Sequence, residues 1–507
     1  MVGARRRALG RGAAGAVSSP LLLGIDEGTT AVKAALFDLE LGLVAQSRRT
    51  VPVSHPAPGL VEQDPELILA AVLDTVAEVL QRAHGRPVIA AGLDHQGESV
   101  LAWDAGSGRA LTPVIVWQDR RQEALLEQID PRVGERSGLP LDPYFSAGKL
   151  AWLLAHDPAV GRARDAGSLR LGTVDSFLRA RLGGGFATDL STASRTQLIE
   201  PAGRDWDEWL LAAFGLRREW LAQVGPTYGE LGELRSERWP VALALAAQVV
   251  DQQAALAGSG AVRAGELKAT YGTGVFVLGR SAGANAGAAR ASGVLPTVAW
   301  ASPAAMGEGA QVAHALEGGV LAAGSLLQWL AGGLGLAGSV AELTAAAALA
   351  GESAGAMILP ALAGLGAPWW RSDAHGVIAG LHGGVSAGNL AWAALEAIAW
   401  RVADIVEAMA PACSPACLRV DGGLSNDETL LALQADALGL PLLVGPADST
   451  VLGAALLAGV GAGVFASVEQ AAQLLPAGRI VEPGPAAQDR EHVRERWREF
   501  VQASSTL

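Results

Sequence analysis

Apolar runs broken by short clusters of glycine, hydroxyl and acidic residues set the rhythm of this chain. Leu21 to Ile25 reads as a buried strand and Ala31 to Asp38 as its antiparallel partner, with Asp26-Glu27-Gly28-Thr29-Thr30 turning between them. Asp64-Pro65-Glu66 opens a helix, with Asp at the N-cap, Pro in the first turn and an acid near the positive end of the dipole. Apolar positions then recur at helical spacing through Leu80, and Val88 to Leu93 returns as a strand. Strand–helix–strand order predicts an α/β fold. Gly148 to His156 reads as a further helix, stopped by Asp157-Pro158. Gly229 to Pro240 is charged and aperiodic, so it reads as a connection with a domain boundary close to Pro240. The expected organisation is a disordered extension over 1–18, a first domain over 19–240, a second over 241–497 and a tail over 498–507. The uncharged stretch Ser449 to Val468 is about as long as a bilayer requires. Its glycines (Gly453, Gly459, Gly461, Gly463) instead suit a tightly packed core helix followed by a turn.

The first turn carries candidate chemistry. Gly28 lets backbone N–H groups approach an anion, Thr29 and Thr30 add donors, and Asp26 can hold a hydrated Mg²⁺. The same residues are also common in ordinary tight turns. Ala269-Thr270-Tyr271-Gly272-Thr273-Gly274-Val275-Phe276 repeats the plan, with an apolar strand running on to Leu278. Two such hairpins, far apart in one chain, suggest related halves closing on one nucleotide, the logic of actin-like ATPases. A Walker loop does not fit, because the only lysines are Lys33, Lys149 and Lys268.

Bulk composition narrows the class. A chain of 507 residues suggests two or three domains at roughly 150 residues each. Half its residues are hydrophobic and 18% charged, which permits a large core. A formal net charge of −13 leaves no basic surface for nucleic acid. No membrane partner is expected. Two cysteines, Cys413 and Cys417, form neither a disulfide framework nor a metal quartet, which suits a reducing cytoplasm. Arg5, Arg6, Arg7 and Arg11 lack the apolar stretch of a secretory signal.

With these segments placed, the chain resembles the FGGY family of carbohydrate kinases, and within it the glycerol kinases, from about Leu21 to Ala462. The resemblance rests on GIDEGTT (24–30), IVWQDRR (115–121), LDPYFSAGK (141–149), GTVDSFL (172–178), ASRT (193–196), DQQAAL (251–256), TYGTG (270–274) and VDGG (420–423). It also takes in the run from Gly376 through Gly380-Leu381 to Asn389-Leu390 and Ala394-Leu395-Glu396. It implies two actin-like (ribonuclease H-like) ATPase domains with the active site in the cleft between them. The implied reaction is Mg²⁺-dependent phosphoryl transfer from ATP to a hydroxyl of a small polyol. Glycerol, giving glycerol 3-phosphate, is the first choice; erythritol, a pentitol or a ketopentose is the alternative. Family members are often dimers or tetramers, so a homo-oligomer is expected.

By the same resemblance, Asp251 takes the proton from the acceptor hydroxyl, although an Asp at that position also makes a good N-cap. Asp26 and Asp251 would face one Mg²⁺–ATP from opposite domains. Its phosphates would lie against Gly28, Thr29, Thr30, Gly272 and Thr273, with Lys33 standing where glycerol kinases usually carry arginine. Gly324 and Gln328 would flank the nucleotide, with Gly422 and Gly423 against the adenine. The usual adenine-side Asn aligns with Asp427, and an Asn stands one place earlier at Asn426. Glu98, Tyr144, Asp251 and Gln252 would meet the acceptor's hydroxyls, and Trp117 and Phe276 would form an apolar wall. Two positions depart from the family. Gly97 replaces an arginine directly before Glu98, which removes donors and opens volume toward His95 or Gln96. Val250 replaces the usual glycine before Asp251.

Overall fold

The computed structural model describes residues 19–284, 286–307 and 312–505; the expected N-terminal extension lies outside them. Two mixed sheets organise the chain. Their strands are β1 (Leu21–Glu27), β2 (Ala31–Phe37), β3 (Leu43–Thr50), β4 (Val88–His95), β5 (Glu233–Leu234) and β6 (Leu243–Val250) in the first sheet. The second holds β7 (Leu267–Tyr271), β8 (Val275–Ser281), β9 (Leu295–Trp300), β10 (Ala313–Val320), β11 (Leu418–Asp421), β12 (Leu442–Val444) and β13 (Arg479–Val481). The orders are β5-β6-β4-β1-β2-β3 and β9-β10-β8-β7-β11-β12-β13.

Both sheets are built on one plan. β1 and β2 form an antiparallel hairpin, and β4 adds parallel to β1. β7 and β8 form the second hairpin, with β11 parallel to β7. Register brings Asp94 beside Asp26 in the first sheet and Asp421 beside Thr270 in the second. β1 is buried along its whole length, as its unbroken apolar run predicts. The helix α1 (Pro65–Gln81) starts where Asp64 accepts a hydrogen bond from the Glu66 N–H, with Pro65 in its first turn.

Two boundaries differ from expectation. β6 lies beyond Pro240, yet it pairs parallel with β4 in the first sheet. Its apolar residues are buried against that sheet, and the chain changes sheets only after the helix α2 (Asp251–Gly258). At the other end, residues beyond Trp497 remain in the fold. They complete the helix Arg490–Ser504, which buries Trp497 and Val501 in the second core because those apolar positions recur at i and i+4.

The glycine-rich stretch near residue 450 folds as predicted for a core helix. Helix α3 (Ala387–Met409) packs on the second sheet, whereas α4 (Ser449–Gly461) crosses to lie on the first and on α2. Glycines make the crossing possible. A Cβ at Gly24 would strike the Val451 carbonyl, one at Gly92 the Ala454 carbonyl, and one at Gly461 the Ala246 carbonyl. Gly258 and Gly453 give α2 and α4 the same clearance against the Ser449 and Ala254 carbonyls. Among the described residues, no helix is long and apolar enough to cross a membrane.

Because backbone rather than a flexible side chain opposes the new atoms, Gly453→Val is expected to cost on the order of 3 kcal/mol. Gly161→Ala, with nothing within 4 Å of its new methyl in a regular helix, should instead gain about 0.5–1 kcal/mol. Chemical denaturation of both variants checks the contrast.

Candidate active site

Three parallel strands of the first sheet deliver acids to one edge. β1 ends at Asp26 and Glu27, β4 at Asp94 and His95, and β6 runs into Asp251 at the start of α2. Asp251 does not cap its helix through the side chain; its Oδ1 accepts from the Gln252 N–H at 2.7 Å. Burial, together with the charges of Glu98 and Asp26, pushes the Asp251 carboxyl up to about 7. Asp26 and Asp94 are also raised, first by burial; the charges of Asp26 and Asp251 push Asp94 up further, whereas Lys33 and a hydrogen bond with Asp94 hold Asp26 down.

The first hairpin turn is tied to an aromatic cluster through Trp117. Its indole Nε1 donates to Thr29 Oγ1 at 3.0 Å, and its ring meets Tyr144 and Phe276 edge-to-face at 5.8 and 6.1 Å. Phe276 belongs to β8 of the second sheet, whereas Trp117 and Tyr144 lie in loops of the N-terminal half, so this three-ring cluster joins the two halves of the chain. Lys149 fixes the Tyr144 segment by donating to the carbonyls of Pro143 and Tyr144 at 2.7 Å and of Phe145 at 3.1 Å. Glu98 sits in a left-handed backbone conformation, φ +56°, unusual for a residue with a Cβ and the kind of strain that gathers at functional sites. Its carboxyl is buried and raised to about 7, chiefly by desolvation. Gln252 Oε1 accepts from Lys268 Nζ at 2.7 Å, and that lysine also donates to Thr270 Oγ1 at 2.6 Å.

The second hairpin turn is docked on backbone. The Gly324 N–H donates to the Gly272 carbonyl, and the Ala323 and Ser325 N–H groups donate to the Thr273 carbonyl. A Cβ at Gly324 would lie 2.6 Å from the Gly272 oxygen. Gly422, at φ +90°, lies so close to the Tyr271 backbone that a Cβ could not fit. Gly272, Thr273, Gly324 and Gly422 thus form one glycine-lined margin, with Gly423 open beside it and Gln328 exposed on the following helix. Asp427 is occupied as a helix cap, accepting from the Leu430 N–H at 2.8 Å. Asn426 stays exposed, donating only to the Gly423 carbonyl at 3.2 Å. Gly28 and Thr30 lie in the first turn, the former donating to the Ala31 carbonyl. Lys33 bonds Asp448 at 2.8 Å and stands 3.8 Å from Asp26, so the cation joins the two domains beside the acids.

Sequence reasoning overlooked several participants. Glu27, Gln63 and Gln96 form a buried network in which Gln96 Nε2 donates to both Glu27 and Gln63. Arg195 lies between Glu98 and Glu317, at 2.8 and 2.6 Å. A motif match to ASRT was the available signal for Arg195; nothing in the local pattern of β10 marked Glu317.

At Gly97 the first atom of a side chain is crowded. A Cβ there would come 2.8 Å from Val250 Cγ2, so the valine fills the space from which a side chain would start. His95 and Gln96 are not free to receive a longer acceptor either. His95 engages Thr192 Oγ1 at 2.8 Å and the Gln96 carbonyl at 2.9 Å, and Gln96 is committed to its own network. The two departures from the family pattern are therefore one complementary packing pair.

The comparisons with known proteins agree with this geometry. Residues 21–258 match the N-terminal domain of the FGGY family of carbohydrate kinases, and residues 267–462 match its C-terminal domain. The chain is 42% identical to a glycerol kinase of Geobacter sp. (strain M21) over 495 residues, covering 95% of this chain and 98% of that one. It is 41% identical to the glycerol kinase of Citrifermentans bemidjiense, with the same coverage. Among solved structures, it resembles Plasmodium falciparum glycerol kinase with ADP at a TM-score of 0.85 and 26% identity, covering 96% of this chain and 98% of that one. The chain belongs to the FGGY family of carbohydrate kinases, and it has that family's two-domain α/β fold.

Gly97→Ala should cost about 1–3 kcal/mol of stability, because a buried β-branched side chain must shift. Gly97→Ala/Val250→Ala should recover most of the loss. Thermal unfolding of the single and double variants reads the coupling. The Asp251–Glu98 pair also predicts a pH profile. A base must be deprotonated, so kcat/KM for the acceptor should fall as pH drops through about 7. Glu98→Gln removes a neighbouring negative charge and should move that limb to lower pH.

Proposed function

We propose that the protein is an ATP-dependent kinase that phosphorylates a terminal hydroxyl of glycerol, giving glycerol 3-phosphate. The observation that carries this reading is Asp251. It opens a helix at the shared edge of the acidic strands, with its carboxyl raised to about 7, beside Glu98 and the Trp117–Tyr144–Phe276 cluster. A polyol offers hydroxyls on one side and C–H groups on the other; carboxylates and a phenol suit the first, aromatic edges the second. Curated relatives about 40% identical over nearly the whole chain carry the name glycerol kinase, which supports glycerol as acceptor.

In this reading Asp251 accepts the proton of the attacking hydroxyl, Glu98 and Tyr144 hold the remaining hydroxyls, and Gln252 is oriented by Lys268. The Gly28–Thr30 and Gly272–Thr273 turns border the phosphates, Gly324 and Gln328 flank the nucleotide, and Gly422, Gly423 and Asn426 border the base. Capping by Asp427 leaves Asn426 as the amide available there. The residues also fit a divalent cation. Both oxygens of Asp94 and Glu27 Oε2 are buried without hydrogen-bond partners, near Asp26 and Asp251. In this reading Mg²⁺ would be held through its waters by Asp26 and Asp251. When bound with ATP, such a cation neutralises phosphate charge.

ADP release should be fastest with glycerol in a panel containing dihydroxyacetone, erythritol, xylitol, ribitol, D-xylulose and D-ribulose. Asp251→Asn should lower kcat by about 10²–10⁴-fold while leaving nucleotide binding within a few-fold. Turnover confined to the longer acceptors would replace glycerol in this reading, and turnover with none would end it.

A further inference from the structure

Arg195 is the most deeply committed charge near the cleft that the reaction does not itself require. It follows the short helix Leu190–Ala193 in the first domain, and its guanidinium is buried. Nε donates to Glu98 Oε1 at 2.8 Å, and Nη2 donates to Glu317 Oε1 at 2.6 Å. Glu317 lies in the middle of β10, paired with Leu278 and Leu295 inside the second sheet. Nη1 has no hydrogen-bond partner, and the guanidinium carbon stands 5.8 Å from the Tyr144 ring and 5.7 Å from that of Phe145. One rigid fork therefore touches the acceptor carboxylate, the acceptor phenol's ring and the opposite domain.

Neutralising Glu98 needs only Arg195 of its own domain; the second carboxylate, Glu317, comes from the other one. Burying two carboxylates around one guanidinium leaves the group with a net negative charge, a costly arrangement unless the geometry is used. Planarity also matters, because Nε and Nη2 point along fixed directions and therefore fix the Glu98 carboxylate relative to β10. We propose that Arg195 is a cross-domain positioning residue: it orients Glu98 toward the acceptor's hydroxyls only while Glu317 of the second sheet holds it, so acceptor binding and closure of the two domains are coupled. This inference rests on the assignment of Glu98 to the acceptor site.

The test compares Arg195→Gln, Arg195→Lys and Arg195→Gln/Glu317→Gln with the unaltered enzyme. Five groups set the charge of Glu98: Arg195, Glu317, Lys149, Tyr144 and Asp251. Removing the guanidinium takes away the main influence lowering the Glu98 carboxyl, so the acid limb of kcat/KM should move to higher pH in Arg195→Gln. The KM for glycerol should rise about 10–100-fold, while the KM for ATP changes less than about threefold. Arg195→Lys should return the limb toward its original pH yet keep a raised glycerol KM, since an ammonium cannot hold both carboxylates in one plane. In the double variant the buried Glu317 charge is gone, so the thermal midpoint should recover relative to Arg195→Gln while the glycerol KM stays high. Recovery of both, an unmoved acid limb, or equal increases in both KM values would make Arg195 a structural tie only and overturn the proposal. Absence of glycerol turnover in the unaltered enzyme would instead be a failure of the acceptor assignment.

Discussion

The site depends on a backbone-to-backbone contact. Helix α4 is reached through the second domain, yet it lies on β1, β4 and β6 of the first, with glycines wherever a carbonyl approaches. Close packing of this kind leaves little freedom in distance or rotation, because no side chains stand between the elements to repack. Both α2 and α4 begin at the edge where the parallel strands end. Asp251 is the first residue of α2. Ser449, the first of α4, bonds Asp421, and Asp448 just before it bonds Lys33. The glycine contacts thus fix the Asp251 carboxyl, the first hairpin and the strand β11 in one frame.

That frame concentrates negative charge. Asp26, Glu27, Asp94, Glu98 and Asp251 all have carboxyls raised first by burial, and several raise one another. Nearby cations are already engaged: Lys33 with Asp448, Lys149 with three carbonyls, Arg195 with Glu98 and Glu317, Lys268 with Gln252 and Thr270. Acids with unpartnered oxygens are expensive to bury, and a bound cation offsets that cost. In the proposed reading, this excess of negative charge would meet the cation of a metal–nucleotide pair, and the glycine-lined turns its phosphates.

Much of the fold was legible because its signals are local. The two hairpins, the Asp64 cap and the glycine-rich core helix each follow from a few adjacent residues. The boundary near Pro240 failed for a reason that local pattern does not carry: β6 pairs with β4, about 150 residues earlier in the chain. The same holds for the last helix, whose Trp497 and Val501 show their spacing only once the second core is there to receive them. In the site, Asp251, Trp117 and Tyr144 were identifiable from motif and residue type. The Arg195–Glu317 link was not, since it joins two ordinary segments across the cleft. Asp427 shows the converse. Its residue type suggested a base contact in doubt, and the structure gives it a plain capping role that any helix start could use.

Gly97 and Val250 show how two departures can have one cause. Read separately, the glycine opens space and the valine stiffens the backbone before Asp251. Together they are neighbours on the ends of β4 and β6, where His95 pairs with Val250, and one side chain takes the volume that the other position gives up. A valine methyl offers no hydrogen bonds where the family's arginine would, so in the proposed reading specificity for the acceptor's hydroxyls rests more heavily on Glu98, Tyr144 and the residues that hold them.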